Sequence, residues 1–79
     1  MNKKKAERVH SKRRALERYR LELTKEIRNQ IRGKIKRSDG VFLGKPSRRL
    51  SEWKIYLEQR AYRVMYDKER KEIVTFLPL

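Results

Sequence analysis

The sequence predicts an α+β fold: two N-terminal helices packed on one face of a three- to four-stranded antiparallel sheet, in one small basic domain over residues 1–79. Three observations lead there. Apolar residues recur at helical spacing only in the first part of the chain, about 4–33. From about 41 to 77 they alternate with polar ones. The joins between the alternating runs are polar and of hairpin length, so consecutive strands must be antiparallel. A chain of 79 residues with 37% apolar content carries one modest core at most.

The first helix is expected over about 4–19. Ala6, Val9, Leu16 and Tyr19 fall at 3- and 7-residue spacings and would form one narrow apolar stripe facing the sheet. Lys, Arg, Glu, Ala and Leu fill the rest, and all are good helix formers. Lys3–Glu7 and Arg13–Glu17 have the spacing of i,i+4 ion pairs. Residues 20–23 make a connector. Thr24 suits the N-cap of a second helix, with Glu26 in its first turn. Leu23, Ile27 and Ile31 would line its buried face, and Gly33 is the expected terminator.

Ser38-Asp39-Gly40 and Gly44-Lys45-Pro46-Ser47 carry turn chemistry, and Val41-Phe42-Leu43 between them reads as a short edge strand. Trp53, Ile55 and Leu57 alternate with Lys54 and Tyr56. Tyr62, Val64 and Tyr66 alternate with Arg63 and Met65. Ile73-Val74-Thr75-Phe76-Leu77 is β-branched and aromatic, and Pro78 ends it. The expected core sets Val9, Leu16, Ile27 and Ile31 against Tyr62, Val64, Tyr66, Val74 and Phe76, with Trp53 also inside.

Charge speaks for the partner class. The chain carries 24 Lys and Arg against 10 Asp and Glu, a net +14. Residues 1–38 hold fifteen bases and four acids, residues 39–79 nine and six, so the basic excess lies mainly in the helical half. Such self-repulsion disfavours a small compact state unless an anionic partner offsets it. Lys5, Arg8, Lys12, Arg13, Arg18 and Arg20 are the expected phosphate contacts on the first helix. With one face of the sheet left open, Lys54 and Tyr56 would add a cation and a stacking ring, which suits RNA better than duplex DNA. There is no cysteine and only one histidine, so no disulfide, metal site or cofactor is expected. No apolar run approaches the ~20 residues of a membrane span. No apolar segment follows the basic N-terminus, so a cytoplasmic protein without a secretory signal is expected.

His10 has Arg14 at i+4 and Glu17 at i+7, so the three share one helix face. An imidazole titrates near neutral pH and an arginine one turn away can hold a phosphate. His10-Ser11-Lys12-Arg13-Arg14-Ala15-Leu16-Glu17-Arg18-Tyr19, Leu23-Thr24, Tyr62 to Asp67 and Ile73 to Pro78 resemble small phage and prophage proteins, which are similar to the barnase–EndoU–colicin–RelE group of ribonuclease-like and toxin-like domains. The resemblance spans most of the chain in order and implies the same helices-then-sheet fold. It implies metal-independent RNA cleavage where a member is active. It also assigns roles: His10 as base or acid, Arg14 and Arg63 as phosphate clamps converging with it, and Thr75 as a positioning hydroxyl. Where the group often has Gly after the Glu-Arg-Tyr triplet this chain has Arg20, whose side chain disfavours a left-handed turn by about 1 kcal/mol. The expectation is therefore a basic RNA-binding protein that, if catalytic, is an endoribonuclease. The alternative is a phage-encoded protein that binds and inhibits an acidic host or phage protein, or a nucleoprotein machine, without catalysis.

Overall fold

The computed structural model describes residues 3–79, with side chains from residue 5 onward. Helix α1 is Lys3–Tyr19 and α2 is Lys25–Lys36. Strands β1 (Val41–Gly44), β2 (Leu50–Leu57), β3 (Arg60–Asp67) and β4 (Glu72–Leu77) follow. They form one antiparallel sheet in the order β1-β2-β3-β4. This is the α+β arrangement the sequence predicts, with four strands. The helix α1 packs chiefly along β4, while α2 lies across β2 and β4.

The buried face of α1 differs from the expected stripe. Val9 and Leu16 are 46% and 59% exposed, and Ala6 is exposed too. The helix instead buries Ser11, Ala15 and Tyr19, which are four apart. Small side chains at the first two positions let the helix backbone approach β4. The Ser11 hydroxyl is satisfied locally by donating to the Arg8 carbonyl at 3.1 Å. The reason for the choice of face is electrostatic. Lys5, Lys12, Arg13 and Arg20 surround Val9 and Leu16 on the helical wheel, so burying that side would carry several cations into the interface. The charged residues flanking Ser11 and Ala15 each meet a partner. Glu7 accepts from Arg70 at 2.9 Å, Arg8 pairs with Glu72 at 3.2 Å, and Arg18 donates to the Phe76 carbonyl at 3.1 Å.

The connector takes the left-handed turn despite its Arg: Arg20 sits at φ 53° and its N–H reaches the Leu16 carbonyl at 3.0 Å. Thr24 is the N-cap of α2, its Oγ1 accepting from the Ile27 N–H at 3.2 Å. Gly33 does not end α2, which runs one turn further. Ile35, 6% exposed, continues the Ile27–Ile31 stripe. Its burial outweighs the ~1 kcal/mol that an interior glycine costs. The helix closes at Ser38, at φ 56°, through Ser38 N–H to the Ile35 carbonyl (3.0 Å) and Asp39 N–H to the Lys34 carbonyl (2.7 Å). That is a Schellman pair with serine in the position usually held by glycine.

In the sheet, Ser51, Trp53, Ile55 and Leu57 of β2 lie opposite Tyr66, Val64, Tyr62 and Arg60 of β3, and this face meets the helices. Trp53 stands at the margin of the core, half-buried, its indole N–H donating to Ser51 Oγ at 3.0 Å. The core gathers Tyr19, Leu23, Ile31, Ile35, Ile55, Tyr62, Val64, Tyr66, Ile73 and Phe76 around Ala15. Tyr19 is its hinge with the sheet: its ring centroid lies 5.0 Å from Tyr62 and 5.9 Å from Phe76. Its hydroxyl donates to the Leu77 carbonyl and accepts from the Arg63 N–H. A register shift between Met65 and Tyr66 makes Val74 an extra residue on β4, so Ile73 rather than Val74 enters the core. The β2–β3 hairpin turns on Glu58 and Gln59, at φ 49° and 67°, without any glycine.

Candidate nucleic-acid interface

Two surfaces carry the expected contacts. The first is the solvent arc of α1. Lys5, Lys12, Arg13 and Arg20 are exposed there, and among the described residues Lys12, Arg13 and Arg20 enter no ion pair. Arg8 and Arg18 are partly engaged in holding α1 to β4, through Glu72 and the Phe76 carbonyl. Arg14 pairs with Glu17 at 3.6 Å, where the spacing suggested Arg13. The expected Lys3–Glu7 pair rests on the Lys3 side chain, which lies outside those described, and Glu7 turns to Arg70.

The second surface is the helix-free face of the sheet. Lys54 lies directly opposite Arg63 across β2 and β3, Tyr56 opposite Ala61, and Thr75 opposite Met65. Lys54, Tyr56, Arg63 and Thr75 therefore share that face, as the alternation requires. Tyr56 is 48% exposed, and the Lys54 ammonium stands 5.6 Å from its ring centroid. Arg63 is held: its guanidinium reaches Glu52 Oε2 at 2.6 and 2.7 Å and donates to the Pro78 carbonyl at 3.2 Å. The Thr75 hydroxyl donates to the Phe76 carbonyl at 3.4 Å.

His10 sits on the flank of α1, half-buried, in a shallow groove with Ala6, Val9, Arg13 and Val74. Thr75 follows Val74 in β4. Among the described residues, no hydrogen bond or ion pair joins His10 to Arg14, Arg63 or Thr75. The structure thus brings Arg63 and Thr75 onto one face, sets His10 and Arg13 in one groove, and commits Arg14 to Glu17.

A third feature escaped the sequence reading. Asp67 and Glu72 are fully buried, at the two ends of the β3–β4 turn that reads as a polar join. Asp67 takes Arg49 at 3.1 Å and Arg70 at 3.2 Å, and its Oδ1 also accepts from the Glu69 and Arg70 N–H groups at 3.0 Å each. The Lys68 N–H bonds the Arg49 carbonyl at 2.8 Å. These contacts, with Arg70–Glu7 and Arg8–Glu72, tie the first turns of α1, the β1–β2 loop and the β3–β4 turn into one end of the molecule. The only sequence signal for it is an acid at each end of a turn rich in bases. Burial pushes the Tyr66 phenol above its ordinary value, with Glu72 and Asp67 adding to the effect and Arg32 opposing it. At the same end Lys45 crowds Lys68. For one amine to accept a hydrogen bond from the other it must lose its proton; this first, then desolvation and the Lys45 charge, lowers the Lys68 pKa.

Carboxylates here face inward while the arginines that meet them, Arg8 and Arg49, keep side chains 46% and 40% exposed. The outer surface is therefore more basic than the composition alone conveys. Among the described residues no helix is long and apolar enough to cross a membrane. No family model, curated protein or solved structure matches the chain.

Proposed function

We propose that this chain is an RNA-binding protein that grips the phosphate backbone through the solvent arc of α1 and stacks unpaired bases on the helix-free sheet face. The observation that carries the reading is the orientation of its charges. Asp67 and Glu72 are spent inside the fold, while Lys12, Arg13 and Arg20 stand exposed without ion pairs among the described residues. A polyanion offsets the repulsion this leaves. Tyr56 beside Lys54 favours single-stranded RNA, whose bases are free to stack.

Binding rather than cleavage is the reading the geometry supports best. A general base is oriented by a neighbouring group, and His10 has no such hydrogen bond among the described residues, while Arg63 is neutralised by Glu52. The test is equilibrium binding of a single-stranded RNA oligomer across a salt series. Neutralising about five phosphates gives a log–log slope near −3.5, from ~0.7 per contact on a single strand. Replacing Lys12, Arg13 and Arg20 by Ala together should flatten it by about 2. Affinity indifferent to salt refutes the proposal. Cleavage by clean wild-type protein that His10→Ala abolishes would add catalysis to it.

A further inference from the structure

The two edges of the sheet are treated differently. The β4 edge is covered: α1 lies along it, Arg18 donates to the Phe76 carbonyl and the Tyr19 hydroxyl to the Leu77 carbonyl. Among the described residues the β1 edge is bare, because β1 pairs with β2 alone. Edge strands are ordinarily protected by charge, proline or a cover, since unpaired N–H and C=O groups template another strand. Here the strand itself is Val41-Phe42-Leu43, with these residues 47%, 54% and 44% exposed. Phe42 leans edge-on against Trp53 at 5.4 Å on the helix side. Val41 lies opposite Lys54 on the other side, where Leu43 borders a shallow depression with Glu52, Lys54, Arg63 and Leu79.

From this we infer that β1 is a strand-addition site for an extended segment of an acidic protein partner, apolar residues alternating with Asp or Glu. Backbone pairing would supply generic affinity and the alternate side chains the choice of partner. Charge selects the occupant. A second copy of this chain would oppose +14 to +14. A four-residue edge is also far short of the area that holds a stable dimer. An acidic segment paired to β1 would lie one strand beyond Lys54, whose long side chain projects from the same face as Val41, and beside Lys45 and Arg48 of the loop that follows the strand. The nearby carboxylates are already taken: Asp39 by Lys34 at 3.4 Å and Glu52 by Arg63. The bulge between Phe42 and Gly44, with Pro46 beyond, confines pairing to the first residues of the strand.

The experiment uses the full chain, isotope-labelled, and three ten-residue peptides. One alternates Val and Leu with Glu. The second carries Lys for Glu, and the third is the first with alternate backbone nitrogens methylated. Amide hydrogen exchange and chemical shifts are followed at residues 41–44. The Glu peptide should slow exchange there by about tenfold or more, the methylated one should not bind, and the Lys peptide should bind at least about tenfold more weakly. Val41→Thr with Leu43→Thr keeps β propensity and should weaken the Glu peptide by about tenfold. Unchanged exchange at 41–44 with the Glu peptide overturns the inference. So does equal binding of the Lys peptide, or a free chain that sediments as a dimer with residues 41–44 already protected. A single-stranded RNA titration runs alongside. RNA binding without peptide binding removes this inference alone, and peptide binding without RNA binding removes only the polyanion reading.

Discussion

Replacing Ala15 and Leu16 one at a time discriminates between the two possible buried faces of α1. Leu16 belongs to the stripe that helical spacing picks out, yet it is 59% exposed; Ala15 is fully buried against β4. Were Leu16 in the core, Leu16→Ala would cost about 2–5 kcal/mol. With only about two-fifths of its surface covered, the transfer loss scales down from about 1.5–3 kcal/mol for a whole leucine to roughly 0.6–1.2 kcal/mol. Alanine's better helix propensity offsets a little of that. Ala15→Leu forces three extra carbons between α1 and β4 and should cost about 1–3 kcal/mol. In a domain of this size one kcal/mol moves Tm by about 4–8 °C. Leu16→Ala should thus lower Tm by only a few degrees, and Ala15→Leu by ten or more in the upper half of its range. Urea and thermal unfolding followed by Trp53 fluorescence measure both. A loss of 2 kcal/mol or more for Leu16→Ala, or a neutral Ala15→Leu, would refute the assigned face (threshold of order the core-truncation minimum).

Three further outcomes are expected. Glu58→Asn with Gln59→Gly places turn-forming residues at φ 49° and 67°, where the native side chains are strained, and should raise stability by about 1 kcal/mol without altering RNA affinity. Because the Tyr66 pKa is higher in the folded than in the unfolded chain, the native state retains its proton longer. Stability is unaffected by this group well below its ordinary pKa of 10.0 and falls as pH rises beyond it, so Tyr66→Phe should soften the alkaline loss seen in denaturation midpoints between neutral pH and pH ~11. Asp67→Ala removes the acceptor of two backbone N–H groups and of Arg70, and the ion-pair partner of Arg49, and should destabilise by about 3 kcal/mol, read as a fall in urea midpoint at constant m.

The elements were legible in the sequence because each rests on local chemistry. Thr24 caps a helix wherever its neighbours permit one, and the alternation of Trp53, Ile55 and Leu57 puts them on one face of any strand. The helix-free face followed from the same rule: once Tyr62, Val64 and Tyr66 are inside, Arg63 must be outside, and strand register alone places Lys54 across from it. The net charge needs no structure at all. What the fold alone decided is where long-range partners compensate local cost. Spacing favoured Val9 and Leu16, but only the assembled sheet supplies Glu72, Arg70 and the Phe76 carbonyl to meet Arg8, Glu7 and Arg18. That turns α1 onto Ser11 and Ala15. Gly33 signals a stop, yet the core has room for Ile35, and its burial carries α2 through. The inward Asp67 and Glu72, the covered β4 edge and the bare β1 edge likewise depend on residues tens of positions apart, whose pairing energy has no trace in local pattern.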